Sequence, residues 1–368
     1  MKKAVIIGAG FAGCIYGMML KEKGWHVTVV EKDGVIGGGV RTFFHGGHPY
    51  TFGPRHFLSP FPETYEFIKK YLEMRDLHKI NYTYMERDQR FYTYPIHDDD
   101  IDDQPEGKRI RKELSELSDE SEATNFEEFW KGRVGPTLYE KFVKHYNKKA
   151  WMLDSNNELD LGYEGTVKKI PLETGDRTEF KGWANAYPVA LDGYNSFLEG
   201  CLEGCDVRLN STIEAFDVDR KGVRVNGEWV EGDMLISSVS PDILFDNHFG
   251  PLRYVGREFH KFVLPIERVF PKDVYFLYYP NANEQHTRIV EYKTLTGYDS
   301  PHTLLGMEVP SMKNRLYPMM IKSEVERAQK YLAMLPDDVY SVGRMGIYKY
   351  VDMDDIILDG MKFRDDII

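Results

Sequence analysis

Cysteine is scarce in this 368-residue chain. Its three residues, Cys14, Cys201 and Cys205, are too few for a disulfide scaffold and suit a reducing, cytoplasmic setting. Long apolar runs are missing too. No stretch reaches the roughly 18 residues of a membrane span, so membrane insertion is not expected. The first apolar run, residues 4–7, stops at a glycine, and no signal peptide is expected either. Positive charge is in deficit: 47 Lys and Arg against 59 Asp and Glu leave a net charge of −12. That disfavours nucleic acid or anionic lipid as a partner, and an anionic ligand would need a local basic pocket. Repeats and low-complexity tracts are absent from the sequence, and the 42% hydrophobic content excludes a mainly disordered chain. The length implies two or three domains.

What is present begins at the first strand. Residues 3–7 read as a buried strand, followed by Gly8-Ala9-Gly10-Phe11-Ala12-Gly13, a helix over 14–23, a second strand over 26–30, and Glu31. Strand, glycine turn, helix, strand and acid in that order make the βαβ unit of a Rossmann-type dinucleotide site. Gly8 permits the tight turn, Gly10 the approach of a pyrophosphate, and Gly13 the packing of helix on strand. The helix N-terminus faces the phosphates, and Glu31, with Lys32 beside it, is placed for the ribose hydroxyls. A second glycine run ending in arginine, Gly37-Gly38-Gly39-Val40-Arg41, follows at once. Flavoproteins place such a run against the pyrophosphate and flavin, so FAD is expected rather than NAD. No later strand leads into a second fingerprint, and a dedicated NAD(P)H domain is not expected.

The expected fold class is α/β, with three parts. A discontinuous Rossmann-like FAD-binding domain takes residues 1–78, 187–240 and 337–368. A helical domain takes 100–155, with a mobile loop over 155–186, and an antiparallel β-sheet domain takes 79–99 and 241–336. Periodicity predicts helices over 62–77, 108–117, 126–151, 191–202 and 323–335, and a last helix from Asp352. It predicts two strands within 82–94 and others over 206–209, 213–218, 223–230, 233–237, 274–279, 287–292 and 339–342. The acidic run 97–107 lacks the ligand spacing of a calcium loop and reads as a solvated linker; no metal site is read.

Further blocks carry a resemblance. GAGFAG, VVEKD and IGGG at the start are joined by Tyr146-Asn147-Lys148-Lys149-Ala150-Trp151, Ile170-Pro171, and His286-Thr287-Arg288-Ile289-Val290-Glu291-Tyr292-Lys293. Leu316-Tyr317-Pro318 follows, then Gly343-Arg344-Met345-Gly346-Ile347-Tyr348-Lys349-Tyr350-Val351-Asp352-Met353. With these the chain resembles, collinearly over essentially its whole length, the UDP-galactopyranose mutase family of flavoenzymes. The resemblance implies an isomerase interconverting UDP-galactopyranose and UDP-galactofuranose, commonly a homodimer, with a UDP-sugar as its partner. It implies that FAD acts when reduced, by NAD(P)H or another donor, with N5 as nucleophile at the anomeric carbon. Matched positions imply roles. Phe142, Tyr146 and Trp151 hold the uridine, with Asn81 near the uracil and Asn147, Phe180 and Tyr278 in the substrate site. Arg288, helped by Tyr317 and Tyr350, grips the diphosphate, and Arg344, Asp352 and Met353 lie at the flavin. Phe142 and Tyr146 at i, i+4 equally suit a helix packing its aromatics, and Asp352 equally suits a helix cap.

Departures from the family pattern bear on the sugar. The family's Gly-x-His turn reads Gly53-Pro54-Arg55 here, with His56 one residue on, so either Arg55 or His56 takes the histidine's place. The loop arginine before Ile170-Pro171 is Lys169, which keeps the charge without the fork. A sugar-side asparagine is Tyr278, which favours a smaller sugar such as UDP-arabinopyranose and disfavours an N-acetyl sugar. The rival readings are an amine-oxidase-type flavin oxidoreductase, which shares the N-terminal motifs, and a flavoprotein-like scaffold without turnover.

Overall fold

The computed structural model describes residues 1–117, 123–161 and 172–367. Strand β1 (Lys3–Ile7), helix α1 (Phe11–Glu22) and strand β2 (His26–Val30) form the expected unit, with β1 and β2 parallel. They sit in a five-stranded parallel sheet ordered Asp206–Arg208, β2, β1, Met234–Ser237, Val339–Ser341. Both faces of β1 are covered, which is why its run is continuously apolar. Ala4 and Ile6 pack toward α1, while Val5 and Ile7 pack against Val223, Val225 and Val230. The last helix, Met353–Asp366, lies against α1 so closely that a Cβ on Gly360 would stand 2.6 Å from the Ile15 side chain.

A second sheet has seven strands in the order Tyr317–Pro318, Tyr254–Leu264, Thr303–Ser311, Arg288–Glu291, Val274–Tyr278, Ile80–Met85, Arg90–Tyr94. It is antiparallel except at one seam, where Val274–Tyr278 runs parallel to Ile80–Met85. One ladder row crosses it through Tyr92, Thr83, Tyr278, Arg288 and Glu308. Since alternate residues share a face, Tyr94, Asn81 and Phe276 lie one step along on that same face. Helices Gly107–Ser115, Phe126–Leu138 and His145–Trp151 stand over this sheet around a core that includes Ile110, Leu138, Tyr139, Tyr254 and Tyr348.

Several predicted elements differ. The helix expected over 62–77 stops at Lys69, and Met74–Asp76 forms a strand beside Ala184–Pro188. That second strand also pairs with Phe57–Ser59, so the stretch 155–186 is not loop to its end. The helix over 126–151 is broken: Gly135 (φ 82°, ψ 161°) precedes Pro136, and a π-helical turn, Tyr139–Lys144, follows. The strand over 223–230 is a hairpin, Gly222–Val225 and Glu228–Glu231, turning at Asn226-Gly227 with positive φ at both. The helix over 191–202 begins only at Asn195. Among the described residues no helix is long and apolar enough to cross a membrane.

Candidate active site

A single cavity of about 1230 Å³ runs from the C-terminal end of β1 to the helix His145–Trp151. One small-molecule site typically occupies roughly 300–1,000 Å³, so the space suits two ligands end to end. Its first end is made of backbone. Gly8 turns the chain at φ 92°, and a Cβ on Gly13 would meet the Gly8 carbonyl oxygen at 1.9 Å. Only glycine lets α1 start that close to β1. Above Gly10 a Cβ would meet nothing within 4 Å, so the N-terminus of α1, with its dipole and unpaired N–H groups, opens onto free space suited to a phosphate. The second glycine run closes the other side, with Gly37 N donating to Ala9 O at 2.7 Å. Phe11, Ala12, Lys32, Gly38 and Gly39 line the space. Buried Glu31 also lines it, and its two oxygens already accept from Ala9 N (2.6 Å) and Asp33 N (2.8 Å). A carboxylate has about four acceptor sites, so ribose hydroxyls can still be taken. The open cradle and buried acid fit a dinucleotide.

Where the cradle ends, cations gather. Arg55 Nε donates to Gly39 O at 2.9 Å, whereas His56 turns its Nε2 to Lys79 Nζ, 2.9 Å away. Arg344 donates to Val351 O (2.9 and 2.8 Å) and to Asp352 Oδ1 (3.1 Å), and lies over the rings of Tyr317 and Tyr350. Those two rings stack at 5.6 Å. Asp352 is the N-cap residue of the last helix, whose first residue, Met353, also lines the cavity. Burial raises the Tyr317 phenol, but Arg55, Arg344 and Arg257 together outweigh it and leave it at about 8.

The sheet contributes a charged pair and an aromatic wall. Arg288 meets Glu308 through two bonds, Nε to Oε1 (3.0 Å) and Nη2 to Oε2 (2.8 Å), across directly paired strands. Burial opposes the Arg288 charge, but Glu308 holds it firmly protonated. Tyr278 stacks on Tyr94 at 3.8 Å and meets Tyr146 edge-on at 5.8 Å. Phe142, Tyr146, Asn147, Trp151 and Phe180 line the far end. Trp151 stands edge-on to Tyr317, and Asn147 is held by Asn156.

Of the described residues singled out in the sequence, Gly13 and Asn81 do not line the cavity, Gly13 because it lets helix pack on strand. Asn81 is fully buried, lies outside the cavity lining and donates to Glu179 Oε2 at 2.6 Å; the neighbouring Thr83, two residues along on the same face, reaches the cavity instead. Lys169 and Ile170-Pro171 lie outside the described residues. Sequence reasoning missed Lys79, Tyr94, Glu179, Phe276 and Glu308, all of which line the cavity. Glu308 left a signal, a charge at a buried position inside the strand Thr303–Ser311; Lys79 and Glu179 left none.

Residues 141–350, more than half of the chain, match the family model described as UDP-galactopyranose mutase, and residues 6–71 match that of an NAD(P)-binding Rossmann-like domain. A probable UDP-galactopyranose mutase of Klebsiella pneumoniae is 24% identical over 389 residues, covering 100% of this chain and 95% of that protein. A dTDP-fucopyranose mutase of Escherichia coli is 23% identical, covering 98% and 97%. A crystal structure of reduced UDP-galactopyranose mutase superposes with a TM-score of 0.82 at 20% identity, covering 99% of this chain and 95% of that one, which establishes the shared fold.

Proposed function

This chain belongs to the UDP-galactopyranose mutase family, and we propose that it interconverts UDP-galactopyranose and UDP-galactofuranose with FAD in the glycine cradle. The observation that carries this reading is the continuity of the cavity from the cradle, through the cationic waist, to the aromatic wall. Gly8, Gly10, Phe11, Ala12, Gly13, Glu31, Lys32, Gly38 and Gly39 would hold the dinucleotide, with Arg55, Arg344, Asp352 and Met353 toward its ring. FAD, when bound and reduced, supplies the nucleophile, N5, for the anomeric carbon.

The protein's own part is orientation and charge. Phe142, Tyr146 and Trp151 offer flat faces and edges to uracil. Arg288 spends two of its five N–H donors on Glu308 and keeps the others for phosphate oxygens. Glu308 thereby fixes the guanidinium plane, so the diphosphate meets a preset fork rather than a mobile one. Tyr317 and Tyr350 add hydroxyls at the same waist, and Lys169 would bring a second cation. The diphosphate is held whether bonded to the sugar or departing, as a group that leaves and returns requires. Aromatic walls exclude water, which would otherwise compete for the anomeric carbon. The Tyr94–Tyr278 stack narrows the sugar side and supports tolerance of UDP-arabinopyranose.

One assay tests this. Dithionite-reduced protein given UDP-galactopyranose should form the furanose over many turnovers per reduction, while oxidised protein should not. UDP-arabinopyranose should be handled comparatively well and UDP-N-acetylgalactosamine poorly. Consumption of one reductant per product would move the chain to the oxidoreductase rival.

A further inference from the structure

Beside the Tyr94–Tyr278 stack lies an ion pair that neither the cradle nor the diphosphate waist uses. Lys79 and Glu179 are 1% and 6% exposed in their side chains, and Lys79 Nζ stands 2.7 Å from Glu179 Oε2. Their backbones are joined as well, Glu179 N donating to Lys79 O at 3.0 Å. Asn81 Nδ2 donates to the same Glu179 oxygen at 2.6 Å, and His56 Nε2 touches Lys79 Nζ at 2.9 Å. The Phe276 ring carries Lys79 on one contact, 5.0 Å from its centroid, and Arg288 on another, 5.3 Å away. Burying two charges seldom adds net stability over apolar residues of similar size. A pair so placed on a cavity wall calls for a reason in the ligand.

Glu179 supplies one. Both of its bonds fall on Oε2, while Oε1 has no protein partner among the described residues, and the residue lines the cavity. An ionised carboxylate is acceptor-only, so what sits against it must donate. A phosphate has nothing to donate and is repelled. The base end lies at Tyr146 and Trp151. Glu179 instead shares Lys79 with His56, and His56 follows Arg55, which donates to the cofactor loop at Gly39 O. Between base and cofactor the remaining donors on a nucleotide sugar are the hydroxyls of the uridine ribose and of the sugar; UDP carries the first and not the second, so its binding tells them apart.

We propose that Glu179, oriented by Lys79 and Asn81, is a specificity-determining residue that accepts a hydrogen bond from a hydroxyl of the substrate sugar. The enzyme therefore takes sugars that keep this hydroxyl and rejects their deoxy counterparts. This rests on the nucleotide-sugar reading of the cavity. Sites built to bond a substrate hydroxyl reject the analogue lacking it far more strongly than apolar pockets reject a missing methylene.

The test measures binding by calorimetry to the flavin-loaded protein. The ligands are UDP, UDP-galactose and UDP-galactose with fluorine replacing the hydroxyl at C2, C3, C4 or C6, which keeps the bulk and removes the donor. In the wild type, one analogue should bind at least about 100-fold more weakly than UDP-galactose. In Glu179→Gln, Lys79 and Asn81 still demand an oxygen, so the amide turns its NH2 toward the sugar and meets one donor with another. The discrimination should fall below about threefold, UDP-galactose should weaken, and UDP should bind as before. Lys79→Met/Glu179→Leu, which leaves no unpaired buried charge, should lose the discrimination as well and serves if the single variant does not fold. Discrimination that survives in the variants, wild-type protein that ignores every fluorine, or UDP weakened as much as UDP-galactose would each overturn the role of Glu179. No turnover enters this readout. Protein that shows the expected pattern yet does not isomerise the sugar would sink the mutase reading and leave Glu179 standing, whereas protein that binds no UDP-sugar would sink both.

Discussion

The two ends of the cavity are made in different ways. The dinucleotide end is backbone: carbonyls, N–H groups and the space left by absent side chains, within the first forty residues. The waist and the substrate end are side chain: Arg55, Lys79, Glu179, Arg288, Glu308, Tyr317 and Arg344 converge from separate segments. A backbone site tolerates no added atom where its loops touch, as at Gly13, and rests less on any one side-chain charge. A side-chain site tolerates changes of shape at its rim but depends on each charge having its partner.

The largest effect that separates them is expected at Gly13. In Gly13→Val the new Cβ would stand 1.9 Å from the Gly8 carbonyl oxygen, and backbone on both sides cannot yield. Overpacking of this severity should destabilise the protein by about 3 kcal/mol or more. Urea unfolding and the flavin content of purified protein check it; a stable, yellow variant would show that the two loops are looser than their geometry. Arg288→Ala should act the other way round, with flavin content retained and kcat/KM lowered by roughly 2–5 kcal/mol in transition-state stabilisation. Loss of flavin in Arg288→Ala would dissolve the distinction between the ends. The smallest effect concerns pH. The Tyr317 phenol sits at about 8, below the usual 10. A bound diphosphate favours its neutral form, so UDP affinity should decline as pH rises through about 8, by at most roughly tenfold per unit. Calorimetry across pH 7–9 reads this slope, and Tyr317→Phe should remove it.

The same division explains what was legible in the sequence. The β1–α1–β2 unit is local, and its glycines could be assigned from spacing alone. Arg288, Arg344 and the aromatic helix came only with the resemblance, since nothing in their local pattern separates a ligand contact from a core contact. Lys79 and Glu179 lie 100 residues apart and meet because Glu179 follows the backbone of Lys79, a fact that topology holds and periodicity does not. Asn81 matches a position near the uracil, yet, although it shares a face with the cavity-lining Thr83, it is buried away from the cavity and spends its amide on Glu179. The hairpin at 222–231 differs in kind: Asn226-Gly227 is a turn signal in the sequence, masked by valines on both sides that share one strand-like pattern.

The order of the parallel sheet has a consequence for how the protein is made. The cradle is complete in sequence by Gly39, but the strands that flank β1 on its other side are Met234–Ser237 and Val339–Ser341, and Arg344 and the final helix come later still. At the usual 5–20 residues per second, translation of the chain takes roughly 20–70 s. During most of that time the glycine loops are exposed without the sheet edge that supports them or the arginine that faces them. Cofactor capture is therefore an event of the finished chain, and its nascent form must wait with its first-made part open.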